Sequence, residues 1–243
     1  MKTSNKILIF SLGGVLALVI ILAFVFRMNA ERLSIISGDF GEYSKTFVVT
    51  SAGENVQRTY PLRPFKSMNI GGKYDVVIKR GNQQKVVVTT DLNVFPVLRV
   101  YVSGTELNIK TKEGVSLEGN HPIKVLIVAP DLNDMSLGGS VSLKVSDIES
   151  QQFTINIGGK SDCVLSGKTN YFEVNLGGLG HINAENLIAN RVSINFAGKG
   201  DIRVHANKSL EINGLGSGSI QYDGNPTTIQ NNVLGKINIH PIQ

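Results

Sequence analysis

The residues best placed to do chemistry are three aspartates at equivalent positions of a repeated sequence. Asp75, Asp162 and Asp201 each stand three positions after a recurring glycine, and a lysine directly follows that glycine in all three cases. If the repeats stack, these positions form parallel acidic and basic strips on one outer face. The plainer interpretation is a solvated face whose charges resist edge-to-edge pairing of strands. The sharper interpretation is a polar groove that binds a glycan or a partner protein.

An enzymatic alternative rests on the same aspartates. A polysaccharide lyase built on stacked β-structure needs Asp, Lys and Arg clustered on one sheet, whereas here the acids are spread singly and no arginine row joins them. The pattern therefore predicts no catalytic residues and no enzyme. Convergence of Asp75, Asp162 and Asp201 with an arginine or lysine in a concave cleft would favour the enzymatic alternative, and a flat or convex face would remove its support.

The remaining motifs predict neither a cofactor nor a metal site. Gly-x-Gly occurs several times, but without a complete phosphate-binding fingerprint or a helix for a phosphate to cap. The run from Gly198 to Asp201 is similar to part of a calcium-binding nonapeptide repeat, yet the period here is near 19 residues. Cys163 occupies an apolar position and is expected to be a small buried hydrophobe. The histidines are scattered, without His-x-x-x-His spacing or a local carboxylate pair: His121, His181, His205 and His240.

Composition excludes several functional classes. The 243 residues fit one domain with a sizeable core. A single cysteine rules out a disulfide framework and any multi-cysteine metal site. The net charge is +5, but the residues after Arg27 carry 21 basic against 19 acidic side chains, a net of +2. No basic run accompanies this charge, so nucleic-acid binding is not expected.

The N-terminal segment predicts a membrane anchor. Residues 7–26 form an uncharged stretch of 20, which is long enough to cross about 30 Å of hydrocarbon as a helix. A cleaved signal peptide has a shorter apolar region, of roughly 7–15 residues, and the one tolerable cleavage site, Met28-Asn29-Ala30, is a poor match. A retained signal anchor is therefore favoured. Lys2 and Lys6 favour a cytoplasmic N-terminus, which places the rest of the chain outside.

Beyond the anchor the chain repeats itself. A four-residue motif recurs that begins with asparagine or serine and ends with glycine, and in several copies the third residue is also glycine. We call its last residue the anchor glycine. The anchor glycines are spaced by 20, 19, 20, 18 and 19 residues: Gly139, Gly159, Gly178, Gly198, Gly216 and Gly235. An earlier copy runs from Asn69 to Gly72. No amphipathic helical pattern follows the membrane anchor at 7–26, and short Val- and Ile-rich alternating runs indicate strands.

The positions after each anchor glycine alternate between apolar and polar residues. Four positions after it, the repeats carry Leu143, Cys163, Ile182, Ile202, Ile220 and Ile239. Six positions after it, they carry Val145, Leu165, Ala184, Val204 and Tyr222. Alternation with a period of two is typical of strands with one buried face, and 19–20 residues have a contour length of roughly 60–65 Å. The repeat therefore predicts an all-β fold, a parallel β-helix or solenoid with about 19–20 residues in each coil.

The recurring glycine and asparagine have physical explanations in such a fold. A bend repeated in every coil favours glycine, since the bend often requires φ above zero and neighbouring coils crowd any side chain there. Asparagines at one position of successive coils either form a ladder of amide hydrogen bonds or point to solvent, and the ladder is the favoured hypothesis. The resulting organisation is a short cytoplasmic tail at 1–6, a transmembrane anchor at 7–26, a stalk or irregular first strand layer at 27–57, and the solenoid domain at 58–243.

Residues 58–240 resemble the putative auto-transporter adhesin head GIN domain family, also called DUF2807. The resemblance lies in the run from Pro64 to Ile78, in Gly81, in Val86–Val88, in Leu107–Lys110 and in the later Asn-apolar-Gly-Gly motifs. It implies a right-handed β-helix in a bacterial envelope or secreted protein, with adhesion proposed by analogy, and it carries no catalytic residues. Many relatives look like lipoproteins or cleaved secretory proteins. The retained anchor predicted here would instead hold the domain at the bacterial inner membrane, on its extracytoplasmic side.

The sequence therefore predicts a non-enzymatic, membrane-anchored binding or scaffold module of the bacterial envelope, with adhesion to a glycan or protein as the specific version of this function. The expected partners are the membrane, through residues 7–26, and a glycan or protein ligand whose binding residues the sequence does not identify. A carbohydrate-active enzyme with an acidic groove is one alternative, and a regulatory component of the envelope is another.

Overall fold

The computed structural model describes residues 47–50, 55–119 and 122–242, and strands dominate these parts of the chain. A single 3-10 turn, Phe95–Val97, interrupts the strands of the described residues. The strands are β1 Phe47–Thr50, β2 Asn55–Tyr60, β3 Ser67–Arg80, β4 Lys85–Asp91, β5 Leu98–Ser103, β6 Glu106–Thr111, β7 Val115–Glu118, β8 Ile123–Ala129, β9 Asp134–Ile157, β10 Lys160–Leu176, β11 Leu179–Asp223 and β12 Thr228–Pro241. The fold is all-β, as the sequence predicts.

The predicted repeats pair side by side, in parallel and in register. β9 pairs with β10, β10 with β11 and β11 with β12, always in parallel. The pairing aligns Asn156 with Asn175, Asn175 with Asn195, and Asn213 with Asn232, so equivalent positions of successive repeats are neighbours. β3 joins the same stack through parallel pairing with β9, which confirms that the early copy at Asn69 is a member of the repeat.

The N-terminal part of the sheet departs from the parallel pattern. β4 pairs antiparallel with both β8 and β2, and β5 pairs antiparallel with β6. β1 and β7 form a separate two-stranded parallel sheet. β1 and the first residues of β2 fall in the range that the sequence assigns to a stalk or an irregular first strand layer. The antiparallel strands cover the edges of β8 and β6 that would otherwise lie open at this end.

The core is built from the apolar positions that the repeat predicts. Leu143, Cys163, Ile182, Ile202 and Ile220 are all buried, at 2% exposure or less. Ile239, in the last repeat, packs against the core but is only partly buried. A second set of inward residues comes from the strand before each bend, and there the rings of Phe153 and Phe172 lie 6.0 Å apart. The period-two alternation therefore identified the buried face correctly.

The bend glycines are required by close approach of the chain more than by backbone angle. A Cβ atom added to Gly198 would lie 2.2 Å from the carbonyl oxygen of Gly178, and one added to Gly159 would lie 2.2 Å from that of Gly139. Gly139 itself has φ of +88°, which favours glycine, but Gly159 and Gly198 do not have a positive φ of that kind. The expectation of a positive φ thus holds at only some bends. Crowding by the backbone of the neighbouring repeat occurs at Gly139, Gly159 and Gly198 alike.

The predicted transmembrane anchor at 7–26 lies outside the described residues. Within the ranges that the structure describes, no helix has the length and apolar character needed to cross a bilayer.

Candidate functional site

Two outward columns of side chains enclose an open groove on the stacked repeats. The first wall consists of Asp162, His181, Asp201 and Ser219, three positions after successive anchor glycines. The second wall consists of Val164, Asn183, Arg203 and Gln221, two residues further along each strand. We call the space between these walls the groove, and its volume is about 540 Å³. It spans four repeats, because each repeat contributes one residue to each wall.

The strand pairing positions both walls. β10 and β11 align Asp162 with His181 and Val164 with Asn183. Within β11, a Cβ atom added to Gly200 would lie 3.2 Å from the carbonyl oxygen of Gly180, so the repeat that carries Asp201 stacks directly on the one that carries His181. Inward residues of the same strands, such as Cys163 and Ile202, are buried beneath the groove and hold its floor in place.

Two groove residues, His181 and Arg203, have a carboxylate partner, and their side chains remain open to solvent. His181 Nδ1 lies 3.3 Å from Asp201 Oδ2, and the two side chains are 65% and 55% exposed. Arg203 Nη1 lies 4.0 Å from Oε2 of Glu185, a residue that does not line the groove. Exposed ion pairs of this kind contribute little to stability. These side chains are therefore available to a ligand at small cost to the fold.

The three predicted aspartates are only partly brought together. Asp162 and Asp201 line the groove opposite Arg203. Asp75 belongs to the same column, but it aligns with Ser142, which in turn aligns with Asp162, so it lies two repeats from Asp162 and does not line the groove. The cleft that would favour an enzyme thus contains two of the three carboxylates and one arginine.

The lysines of the predicted basic strip share one column, but they alternate in it with uncharged residues. Lys73 and Lys160 both align with Ser140, Lys160 aligns with Leu179, and Ser217 aligns with Lys236. These lysines are exposed. They lie beside the column of Asp75 and Asp162 and do not line the groove.

Stacking gives the histidines carboxylate neighbours that the linear sequence does not reveal. His205 Nδ1 lies 3.5 Å from Asp223 Oδ2, much as His181 lies beside Asp201. His240 Nε2 lies 2.9 Å from Gln221 Nε2, and His121 is outside the described residues. Each carboxylate lies one repeat away from its histidine, so the sequence shows no local pair although the two side chains are neighbours in space. Among the described residues no group of three or more His, Cys, Asp and Glu is arranged to hold a metal ion.

Cys163 lies inside the stack, below the groove. Its side chain is 2% exposed. Burial, together with the charge of Asp162, raises the pKa of the thiol to about 12. The thiol is therefore protonated at neutral pH and is not a nucleophile, because reactivity belongs to the thiolate.

The predicted amide ladder is present on a second outer face. Asn232 donates from Nδ2 to Asn213 Oδ1 at 3.2 Å, Asn213 to Asn195 at 3.3 Å, Asn195 to Asn175 at 3.0 Å, and Asn175 to Asn156 at 2.9 Å. All four bonds run in the same direction, each amide donating to the repeat before it. Because these amides bind one another, their main role is to hold the repeats in register.

The ladder ends on a carboxylate that the repeat pattern does not predict. Asn156 Nδ2 donates to Asp134 Oδ1 at 3.2 Å. The pKa of Asp134 is raised, chiefly because burial penalises the charged form and also because Glu106 and Glu173 repel it, while the bond from Asn156 acts in the opposite direction. The equivalent ladder position in this repeat holds Ser136, so the amide reaches the neighbouring column instead.

Sequence reasoning also missed the second wall of the groove. The residues five positions after the anchor glycine vary widely in type, from Val164 to Arg203, so they show no repeat signature. The signal that could have found them is their constant distance of two residues from the aspartate column, which places them on the same outer face.

Comparison with known proteins agrees with this architecture. The chain is similar in structure to a putative adhesin from Bacteroides fragilis, with 22% identity, a TM-score of 0.60, and coverage of 80% of this chain and 100% of that one. It is also similar to a putative lipid binding protein from Parabacteroides distasonis (20% identity, TM-score 0.54) and to a putative adhesin from Parabacteroides merdae (17% identity, TM-score 0.52). Each of these two matches covers 81% of this chain and 100% of the other. At these identities the likeness concerns the fold. No curated protein matches the chain significantly.

The sequence itself matches the family described as putative auto-transporter adhesin, head GIN domain, over residues 64–226. That range includes the early copy of the repeat, the amide ladder as far as Asn213, and every residue of the groove. The chain therefore belongs to the putative auto-transporter adhesin, head GIN domain family.

Proposed function

We propose that this protein is a non-enzymatic binding module of the bacterial cell envelope, anchored in the membrane by its N-terminal segment. The observation that carries the proposal is the groove, where polar side chains of four repeats face solvent between two walls. Membership of an adhesin family supports a binding role over a purely structural one. The open, solvent-exposed form of the groove suits recognition of an extended ligand.

The proposed architecture is a right-handed β-solenoid over residues 58–243. Parallel, in-register pairing of successive repeats supports it, since a chain that pairs with its own next repeat in parallel must return to the same edge after each one. The offsets of 18 to 20 residues between bonded asparagines match the sequence period. The right-handed sense follows from the family resemblance and from the usual handedness of parallel connections.

The proposed location is the bacterial inner membrane, crossed once, with the binding domain on the extracytoplasmic side. Residues 1–6 would form a cytoplasmic tail, 7–26 the anchor, and the part of 27–57 that precedes β1 a stalk. The apolar length of the anchor and its flanking lysines support this arrangement. A stalk between the bilayer and the sheet would hold the groove away from the membrane surface.

Binding can be tested with the full chain reconstituted in lipid nanodiscs. We expect it to retain material from at least one envelope fraction (peptidoglycan, outer-membrane extract or secreted polysaccharide), and to release that material chemically unchanged. Nanodiscs that carry an unrelated single-pass protein are the control. Retention no greater than this control for every fraction would contradict the proposal.

A carbohydrate-active enzyme is the second candidate, favoured by one observation. Asp162 and Asp201 share one wall of the groove and face the wall that carries Arg203. An enzyme would convert oligosaccharides to shorter products, and the Asp162→Ala change would abolish that conversion. The binding proposal expects no product from the unaltered chain after prolonged incubation, so chromatography of the oligosaccharides decides between the two.

A further inference from the structure

The two walls of the groove differ in hydrogen-bonding chemistry. Asp162 and Asp201 on the first wall carry carboxylates, and an ionised carboxylate can accept hydrogen bonds but cannot donate them. Arg203, Asn183 and Gln221 on the second wall carry N–H groups, and the guanidinium can only donate. His181 and Ser219 on the first wall can also donate, and the amides of Asn183 and Gln221 can also accept. A ligand that touches both walls must therefore carry both donors and acceptors, with its donors chiefly on the edge that faces Asp162 and Asp201.

The dimensions of the groove favour a narrow, extended ligand. Neighbouring strands in a sheet are about 4.8 Å apart, so four residues from Asp162 to Ser219 span about 14 Å. The walls are two residues apart along each strand, which corresponds to about 7 Å. A volume of about 540 Å³ lies in the range of ligand-binding clefts. These dimensions accommodate a single polymer chain lying along the stack of repeats.

Charge in the groove disfavours strongly ionic ligands. The two carboxylates on the first wall repel a polyanion, and the guanidinium of Arg203 offsets one of them, so the attraction that is left for a polycation is weak. Hydroxyl groups are suited to both walls, because each can donate and accept. At one end, Val164 is 47% exposed and offers an apolar surface to the C–H face of a sugar ring.

We propose that the groove binds an uncharged, polyhydroxylated glycan chain that lies along the stack, with hydroxyls donating to Asp162 and Asp201 and accepting from Asn183 and Arg203. This inference deepens the proposed function and rests on it. The competing occupant is a basic peptide segment of a partner protein, which the two carboxylates would attract.

The test uses the full chain in nanodiscs and defined probes. Neutral linear hexasaccharides of glucose, mannose and N-acetylglucosamine represent the proposed ligand, an oligogalacturonate hexamer represents a polyanion, and hexalysine represents a basic peptide. We expect measurable binding of at least one neutral hexasaccharide by calorimetry, and weaker binding of both charged probes. Asp162→Ala and Asp201→Ala should each weaken binding of the neutral probe about tenfold, which is the scale of a hydrogen bond to a charged group.

Asp75→Ala is the matched control. Asp75 has the same chemistry and stands in the same column, but it lies outside the groove. Its removal should leave affinity for the neutral probe within about twofold. The melting temperatures of all three variants should agree, because the side chains are partly or fully exposed, and this comparison separates lost binding from lost folding.

Each other outcome has a definite meaning. Preferred binding of hexalysine, weakened by Asp162→Ala, would overturn the glycan assignment in favour of a protein partner. Neutral binding that is equally strong in Asp162→Ala, Asp201→Ala and Asp75→Ala would overturn the assignment to the groove. If an envelope fraction binds but no neutral hexasaccharide does, this inference fails and the proposed function stands. If nothing binds, both fail.

Discussion

Asn156 donates a hydrogen bond to the carboxylate of Asp134 at 3.2 Å, and this bond places a charge at the end of a ladder of neutral amides. Every amide in the ladder donates toward this end, so the carboxylate receives a donor that is itself polarised by the bonds behind it. That favourable contact is outweighed by burial and by the nearby charges of Glu106 and Glu173, since the pKa of Asp134 is raised overall.

The raised pKa predicts how the Asp134→Asn change will alter stability. The native state binds the proton of Asp134 more tightly than the unfolded chain, so the contribution of this group is fully present below its unfolded pKa of 3.8 and is lost as pH rises through the higher native pKa. Asp134→Asn should therefore raise the melting temperature at neutral pH, and the difference should vanish as pH falls below the unfolded pKa. Thermal melts across this window measure it. A variant that melts below the unaltered chain at neutral pH would show that the bond from Asn156 dominates.

The middle of the amide ladder should contribute more to stability than the end at Asn232. Asn175 accepts from Asn195 and donates to Asn156, and it is partly buried, so Asn175→Ala removes two bonds and leaves neighbouring amides unpaired. We expect a loss of about 1–3 kcal/mol in the free energy of unfolding. Asn232→Ala is the matched control, because it removes a single bond at an exposed position and should cost under about 1 kcal/mol. Equal losses from denaturant titrations would argue against a cooperative ladder.

Core burial predicts a large difference between two neighbouring substitutions. Ile202 is 1% exposed and packs between equivalent residues of adjacent repeats, so Ile202→Ala should cost about 2–5 kcal/mol. Lys199 is exposed, and serine already occupies its position at Ser217, so Lys199→Ser should change stability by less than about 0.5 kcal/mol. Thermal melts of the two variants compare them. Similar losses would mean that the assignment of inward and outward positions is wrong.

Crowding at the bends predicts that Gly198→Ala will destabilise the fold. The added methyl group would lie 2.2 Å from the carbonyl oxygen of Gly178, so one of the two repeats must shift, at a cost of about 1–3 kcal/mol. Gly71→Ala is the control, because a Cβ atom there meets nothing within 4 Å and the backbone angle is ordinary. The control should be neutral or slightly stabilising in the same melts. A neutral Gly198→Ala variant would show that neighbouring repeats move apart freely.

The anchor predicts where the protein is found in the cell. The full-length chain should fractionate with membranes, and the intact mass of the extracted protein should include residues 1–30. The physical reason is that 20 uncharged, apolar residues are more stable in hydrocarbon than in water. A mature chain that begins at Glu31 and occurs in a soluble fraction would contradict this prediction.

Periodicity determined how much of the structure was predictable. It identified the buried row through Cys163 and Ile202 and the amide ladder through Asn175, because equivalent positions of stacked repeats become neighbours whatever their type. It suggested a polar groove beside the aspartate column only as an alternative, and it missed the second wall, because the residues from Val164 to Arg203 differ too much in type to show a repeat. The antiparallel pairing of β4 with β8 was also not predicted, because these strands occur once and have no internal copy for comparison.

Parallel pairing from β9 to β12 also sets the mechanical response of the domain. The evenly spaced, slanted hydrogen bonds of a parallel pair join each strand to the next one along the stack, so a force along the stack pulls the strands apart and can open the repeats one after another. A force along the strands would instead shear many bonds at once. A ligand lying in the groove would contact four repeats and join them. An occupied groove would therefore resist this stepwise separation of the repeats, whereas an empty groove would not.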